Sequence, residues 1–412
     1  MADHSISEHL QAVHAASRPF LEFLAGSSWG RARGTAGICD FVVGNPQEMP
    51  LPGYVEALQR AIIPQDCNWF GYKTNELLAC NTAAQYLRER LHVPFAAEDI
   101  FMTKGASNAL TIVLSTIIDC QEEVIFLSPP WFFYEPMIYF VRGIPVRVRV
   151  NMATFELDLG AIAAAITPRT RAVILNSPNN PTGKIYSPDA LQELARLLEN
   201  ASARFGRAIY LISDESYSRI VFDGSRFTSP TLYYPRTFLI YSYSKALLTP
   251  GQRLGYIAVA PSMPDRDSIR SAIFTTQCAG FGFPDAVLQY AIPEFERLCI
   301  DINQLQRRRD YLRSALQTLG YEVNMPEGAW YLLLRTPIEN DSVFAEMLAK
   351  ENVFVLPGTV CEMPGYVRIC LTASDDMVEQ SIRAFAAVLG APQSRDDVSL
   401  THGVPSVSTE AA

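Results

Sequence analysis

Between Glu123 and Val259, short apolar runs alternate with stretches whose apolar residues recur at helical spacing, and this alternation narrows the possible folds more than any other feature. The runs Glu123–Ser128, Pro145–Val150, Ala172–Asn176, Ile209–Asp214, Thr237–Ser242 and Gly255–Val259 predict strands; the periodicity predicts helices over Ser107–Ile118, Tyr134–Val141 and Asp189–Phe205. Strands that alternate with helices pair mostly in parallel and are covered on both faces, so the expected class is α/β. In such sheets ligands bind at the carboxyl ends of the strands. Three chemically suggestive residues fall there: Asp214 ends one strand, Asn180 follows the run AVILNSP, and Lys245 follows FLIYSYS. One pocket can collect all three.

The 412 residues suffice for about two or three domains. Residues 1–60 are expected to form an N-terminal arm and part of a smaller domain, with the Gly/Ser/Arg-rich piece Ala25–Gly37 a loop. Residues 61–284 make the large domain that carries the sheet. Residues 285–390 begin with one long connector helix, Asp285 to about Leu319, bent at Pro293, where an i→i−4 hydrogen bond is lost. They continue as an α+β unit with short strands in Tyr321–Thr336 and Val353–Ala373 joined by a helix near Ser342–Lys350. Residues 391–412 are polar, without periodicity, and are expected to be disordered.

Composition removes several classes of function. The net charge of −9 gives no long-range attraction for nucleic acid or anionic membrane, and the triplet Arg307-Arg308-Arg309 reads as a solvated helix face. Four of the five histidines lie near the ends, leaving only His92 inside the body, too few for a histidine-based metal site or a Ser-His-Asp triad. The eight cysteines are scattered with no CxxC, as expected of free thiols in a reducing compartment. No apolar stretch approaches the ~20 residues that span a bilayer, and the start of the chain lacks a basic segment followed by an apolar one. The expectation is a soluble cytoplasmic protein.

The stretch YSYSKALLTPGQRLGY, Tyr241–Tyr256, then poses a chemical problem, because an ammonium at the buried end of a strand is costly unless paired or neutralised. A lysine that is neutral part of the time can form a Schiff base with a carbonyl. Nearby, Ser242 and Ser244 can donate to a phosphate, Arg253 offers a planar fork, and KGASN (104–108) opens a helix whose amides make an anion site. An aldehyde bearing a phosphate fits these parts. Pyridoxal 5'-phosphate is such a cofactor, and it also requires a carboxylate at its ring nitrogen, for which Asp214 is the candidate. Tyr217 and Asn180 can reach the ring's 3-oxygen, and Trp131 can stack on its face.

SPNNPTG (177–183), DESY (214–217), SYSK (242–245), GxRxG (251–255), PEGAWYL (326–332), LPG (356–358) and YVRIC (366–370) together resemble the class I/II pyridoxal-phosphate-dependent aminotransferases of fold type I, the aspartate aminotransferase-like family. The resemblance runs from about Asp40 to Val388. It implies a mostly parallel sheet of the seven-stranded type in the large domain, a small α+β domain built from both chain ends, and a homodimer with shared active sites. It makes Lys245 the Schiff-base lysine and proton shuttle, Asp214 the ring-nitrogen partner, and Tyr217 and Asn180 the 3-oxygen ligands. Gly105, Ala106, Ser107, Ser242 and Arg253 become the phosphate contacts, and Arg368 the clamp on the substrate α-carboxylate. A tyrosine from the neighbouring subunit also reaches the phosphate in this family. In NWFGYKTNELL the usual tyrosine–glycine spacing is not kept, so Tyr72 and Phe70 compete for that position. Cys361 stands where an aromatic residue is usual, and core packing is its simplest role.

The implied reaction moves an amino group from an L-amino acid to a 2-oxo acid. The same pocket can support elimination, cyclisation or oxidation of an amino acid, and fold alone does not choose. A pyridoxal-binding transcription regulator would need a DNA-binding module, and the residues before Asp40 contain no basic recognition helix. For the substrate side chain, Ala272–Pro284 contains no cation, whereas Phe281, Phe283 and Trp69 suggest an apolar pocket; Arg31 and Arg33 are the remaining sources of positive charge.

Overall fold

The structure, a computed structural model, describes residues 6–390; the tail expected to be disordered lies outside the described residues. A seven-stranded sheet runs in the spatial order Ile100–Thr103, Gly255–Val259, Thr237–Ser242, Tyr210–Asp214, Thr170–Asn176, Glu123–Ser128, Ile144–Arg149. The strands from Thr237–Ser242 onward pair in parallel, and Gly255–Val259 is antiparallel to both neighbours. All six strands expected from the sequence are present, with ends shifted by at most two residues. Ile100–Thr103 is the addition, a four-residue segment whose antiparallel partner extends the sheet.

Successive side chains of a strand point to opposite faces, and here both faces meet apolar cover. Val124 and Phe126 pack against the helix Ala106–Ile117 and against Tyr134 and Ile138. Ile125 and Leu127 face Leu191, Leu194 and Leu198 of the helix Pro188–Phe205. Burial on both sides explains why these strands read as continuous apolar runs.

A three-stranded antiparallel sheet, Leu356–Pro357, Tyr366–Cys370 and Tyr331–Arg335, packs with the helices Ile302–Thr318 and Asp375–Gly390. Cys39–Asp40 pairs in parallel with Val353–Phe354, so the start of the chain joins the C-terminal unit. Among the described residues no helix is long and apolar enough to cross a membrane.

Three expectations are corrected. The connector is not one bent helix: Ala286–Tyr290 and Ile292–Phe295 end before an extended piece, and Ile302–Thr318 begins afresh. Asp301 caps that restart by accepting from the Gln304 amide at 3.0 Å, and the Ile300 amide donates instead to the Ala246 carbonyl, one residue past Lys245. The piece Ala25–Gly37 is partly helical, because Glu8–Gly26 runs through Pro19 and Ser27 caps a short second helix, Ser28–Ala32. The arginine triplet is not a solvated face: Arg308 and Arg309 are buried, paired respectively with Asp375 and Glu48 and with Asp223 and Asp310, leaving only Arg307 exposed.

Candidate active site

The strand Thr237–Ser242 ends in a single helical turn, Tyr243–Ala246, which carries Lys245 to the carboxyl edge of the sheet. Lys245 lines a cavity of about 250 Å³ together with Ala106, Ser107, Trp131, Asn180, Asp214, Tyr217, Ser242, Arg253 and Arg368. Ser244 lines it too, so eleven of the residues singled out from sequence share one cavity. Gly105 stands just behind: its φ of +83° suits glycine, and a Cβ there would lie 2.9 Å from Arg253 Nη2. Gly255 is constrained more tightly, since a Cβ would meet the Tyr241 carbonyl oxygen at 2.3 Å. The second glycine of GxRxG thus lets its strand approach its neighbour.

Electrostatics in the cavity follow from burial. Desolvation pulls the Lys245 ammonium down to about 8, and the Arg368 and Arg253 cations push the same way against opposing contributions from Cys370 and Asp214. Its Nζ lies 5.0 Å from the centre of the Trp330 ring and 5.4 Å from that of Tyr217. Burial raises the Asp214 carboxyl above its ordinary value, opposed by hydrogen bonds from Ser216 and Tyr134 and by the Lys245 charge. Ser216 Oγ donates to Asp214 Oδ1 at 2.6 Å, and Tyr134 Oη donates to Oδ2 at 2.8 Å.

Arg368 is buried, donating through Nη1 to Asn180 Oδ1 at 2.8 Å and through Nη2 to the Val42 carbonyl at 2.9 Å, with Tyr331 stacked at 4.2 Å. Among the described residues its Nε has no hydrogen-bond partner, and neither has the buried Ser244 Oγ. At the opposite end, Arg253 Nη2 donates to Ser107 Oγ at 3.1 Å beside the start of the helix Ala106–Ile117. The first amides of that helix have no intrahelical acceptor. The cavity therefore joins an anion cradle, a desolvated amine, a buried carboxylate and a guanidinium with donor capacity to spare.

Sequence reasoning missed several contributors. Tyr134 and Ser216 hold Asp214, and Tyr331 meets Tyr217 hydroxyl to hydroxyl at 2.8 Å. Ser216 and Tyr331 sit inside the motifs DESY and PEGAWYL, and Tyr134 stands three residues after Trp131, but nothing in those strings says which hydroxyl meets which. Val43, Gly44 and Asn45 line the cavity from the other end of the chain. Tyr72 and Phe70 are exposed and lie outside the cavity of their own chain. So do Trp69, Phe281 and Phe283; the aromatic wall is formed by Trp131, Phe132 and Tyr331 instead. Arg31 and Arg33 are also elsewhere: Arg31 donates to the Gly26 carbonyl and to Ser28, and Arg33 stacks on Trp29. Cys361 is fully buried against Leu333 and Met363, in the packing role expected of it.

The family model described as aminotransferase class I and II matches residues 36–385. An aspartate/prephenate aminotransferase from Thermus thermophilus is 33% identical over 318 residues, covering 74% of this chain and 80% of that protein. A probable N-acetyl-LL-diaminopimelate aminotransferase from Bacillus subtilis is 27% identical over 351 residues, covering 84% and 87%. Among solved structures, an amino transferase from Eubacterium rectale superposes with a TM-score of 0.85 at 28% identity, covering 94% of this chain and 98% of that one. The aspartate aminotransferase of Thermus thermophilus with maleate gives 0.78 at 29% identity, covering 93% and 100%.

Proposed function

Because this chain belongs to the class I and II aminotransferases, which are pyridoxal-phosphate-dependent, we propose that its Lys245 cavity is where an amino group leaves an L-amino acid for a 2-oxo acid. The residues present fit the cofactor. Supporting this are a buried, unpaired Ser244 Oγ, uncommitted amides at the start of Ala106–Ile117, and a glycine at 105 where a side chain would crowd Arg253. Gly105, Ala106, Ser107, Ser242 and Arg253 would hold the phosphate, Asp214 the ring nitrogen, Asn180 and Tyr217 the 3-oxygen, and Trp131 the ring face. When bound, pyridoxal phosphate supplies an aldehyde for the amine and an electron-withdrawing ring for the pair left at the substrate Cα.

The chain's own residues do the rest. Arg368 orients the substrate through its α-carboxylate, with Asn180 and Tyr331 fixing the guanidinium. Lys245, whose burial keeps a share of its amine neutral near physiological pH, removes the proton from Cα at Nζ and carries it onward. Asp214, held by Ser216 and Tyr134, keeps a proton on the ring nitrogen. The observation that carries this reading is the convergence of a desolvated Lys245, Asp214 and Arg368 in one cavity. Adding an amino acid without a 2-oxo acid should erase the aldehyde absorbance and leave the amino group on the cofactor. Regeneration of that absorbance without an acceptor would indicate elimination instead.

We take residues 61–284 as the large cofactor-binding domain, with 1–60 and 285–390 contributing the arm, connector and small domain. The enzyme's place is in amino-acid metabolism, and its eight free cysteines support a reducing compartment such as the cytoplasm. A homodimer completes each site. Ile62, Ile63, Phe70, Tyr72, Leu77 and Leu78 are large, apolar and exposed within one short segment, which suits a surface covered by a second copy. Only dimers should be active in sedimentation-resolved assays, and Tyr72→Phe should weaken cofactor binding roughly tenfold by removing one hydrogen bond to a charged group. An active monomer, or an effect at Phe70 rather than Tyr72, would contradict this.

Neutral amino acids with apolar or aromatic side chains should be better donors than aspartate. The wall of Trp131, Phe132 and Val43 offers no partner for a short distal carboxylate, and burying one unpaired is strongly unfavourable. Comparing kcat/KM for phenylalanine, leucine, methionine and aspartate tests this, and a clear preference for aspartate refutes it.

A further inference from the structure

Next to the Lys245 cavity lies a second one of about 400 Å³, and both have Trp131 and Phe132 in their walls. The N-terminal helix roofs it through Ala16, Ser17 and Phe20, with Phe20 stacked on Phe132 at 4.6 Å. Its floor is the edge strand Ile144–Arg149, and the segment Thr359–Pro364 closes one side.

The polar groups of this cavity can be accounted for one by one. Arg147 donates to Glu135 at 2.6 Å and to Glu362 at 2.7 Å, and the second Glu362 oxygen accepts from Ser128 at 2.6 Å. Ser17 Oγ donates to the Val13 carbonyl, and Thr359 Oγ1 to Asp341. Arg147 thus answers two carboxylates, and the three groups together keep one negative charge. Arg149 is different: among the described residues its side chain makes no ion pair or hydrogen bond. It is the last residue of the edge strand, in register with Ser128 and on the same face as Arg147. It is exposed, sits at the carboxyl edge of the sheet and shares the lining of the second cavity with Trp131 and Phe132.

We infer that the second cavity is the distal half of the substrate site, where Arg149 binds a carboxylate or similar anion at the far end of a long amino-acid side chain. This rests on the reading of the Lys245 cavity as the place of transamination. With Arg368 fixing the α-carboxylate in the first cavity, a long side chain directed toward the Trp131–Phe132 wall passes from an aromatic setting to an uncommitted guanidinium. Aspartate is too short to cross that wall, so preference for apolar donors over aspartate and acceptance of long anionic donors arise from the same geometry. Glu135 and Glu362 sharpen the choice, because an anion displaced from Arg149 toward Arg147 meets two carboxylates.

Straight-chain diacids provide the test on the cofactor-loaded dimer without turnover, with dissociation constants read from the change in cofactor absorbance. Succinate, glutarate, adipate, pimelate and suberate form the series, and hexanoate and heptanoate are the one-headed controls. Affinity should rise beyond glutarate, and the best diacid should exceed its control. Arg149→Gln should lower that diacid-to-control ratio roughly tenfold to a hundredfold, as loss of a charge-assisted hydrogen bond implies. Arg149→Lys should keep part of it, and added salt should erode it. A ratio that Arg149→Gln leaves unchanged, or a flat series in an enzyme that takes amino groups from leucine or phenylalanine, overturns this inference alone. A wild-type enzyme that takes the amino group from no amino acid overturns the transamination reading and this inference with it.

Discussion

Replacing Lys245 with alanine should cut turnover by roughly a thousandfold or more while leaving the protein folded. Both halves of that expectation come from the surroundings of Nζ. The ammonium is buried and flanked by rings and two guanidinium groups, so its removal takes away a desolvated cation, while the nearby Asp214 loses one favourable charge but keeps its hydrogen bonds from Ser216 and Tyr134. The melting temperature should therefore change by only a few degrees, within the range of an ordinary core substitution. Catalysis loses more, because the same nitrogen is both the attachment point for the aldehyde and the base at Cα, and proton transfer by a positioned side chain alone supplies about 10²–10⁴ in rate. Loss of the visible absorbance of lysine-bound cofactor is the accompanying spectroscopic result. Turnover near the wild-type rate in this variant would show that another residue carries the reaction.

What the sequence disclosed depended on the range of the interaction that decided each feature. Strands buried on both faces announce themselves, because every residue must be apolar, and Thr237–Ser242 and Gly255–Val259 end where expected. Chemistry concentrated in contiguous motifs was equally visible: Lys245, Asp214, Asn180, Arg253 and Arg368 converge on one cavity. Features decided by distant contacts were not. Arg308 and Arg309 read as solvated because their partners Glu48, Asp375 and Asp223 are far away in sequence. The connector helix read as continuous because the Ile300 amide is claimed by Ala246, a tertiary bond with no local signal. Tyr134 escaped notice for the same reason, since its acceptor lies eighty residues further along the chain.

Tyr134 also shapes the second large effect, the one expected at Asp214. Asparagine is the informative replacement, because it can still meet both Ser216 and Tyr134, whereas alanine would strand those buried hydroxyls. Asp214→Asn should lower the rate per bound cofactor by roughly a hundredfold to a thousandfold, the scale of removing one preorganised electrostatic contact. Cofactor occupancy should fall far less, since holding a proton on the ring nitrogen matters chiefly while charge develops at Cα. Stability should move the other way. Burial raises the carboxyl above its ordinary 3.8, so the folded state binds a proton more readily than the unfolded chain, and the stability present at low pH is lost as pH rises through the folded value. At neutral pH the cofactor-free Asp214→Asn protein, which has no carboxylate to ionise, should therefore melt no lower than the wild type. Occupancy that collapses while the rate per bound cofactor holds would remove Asp214 from the ring nitrogen and make it a binding residue only.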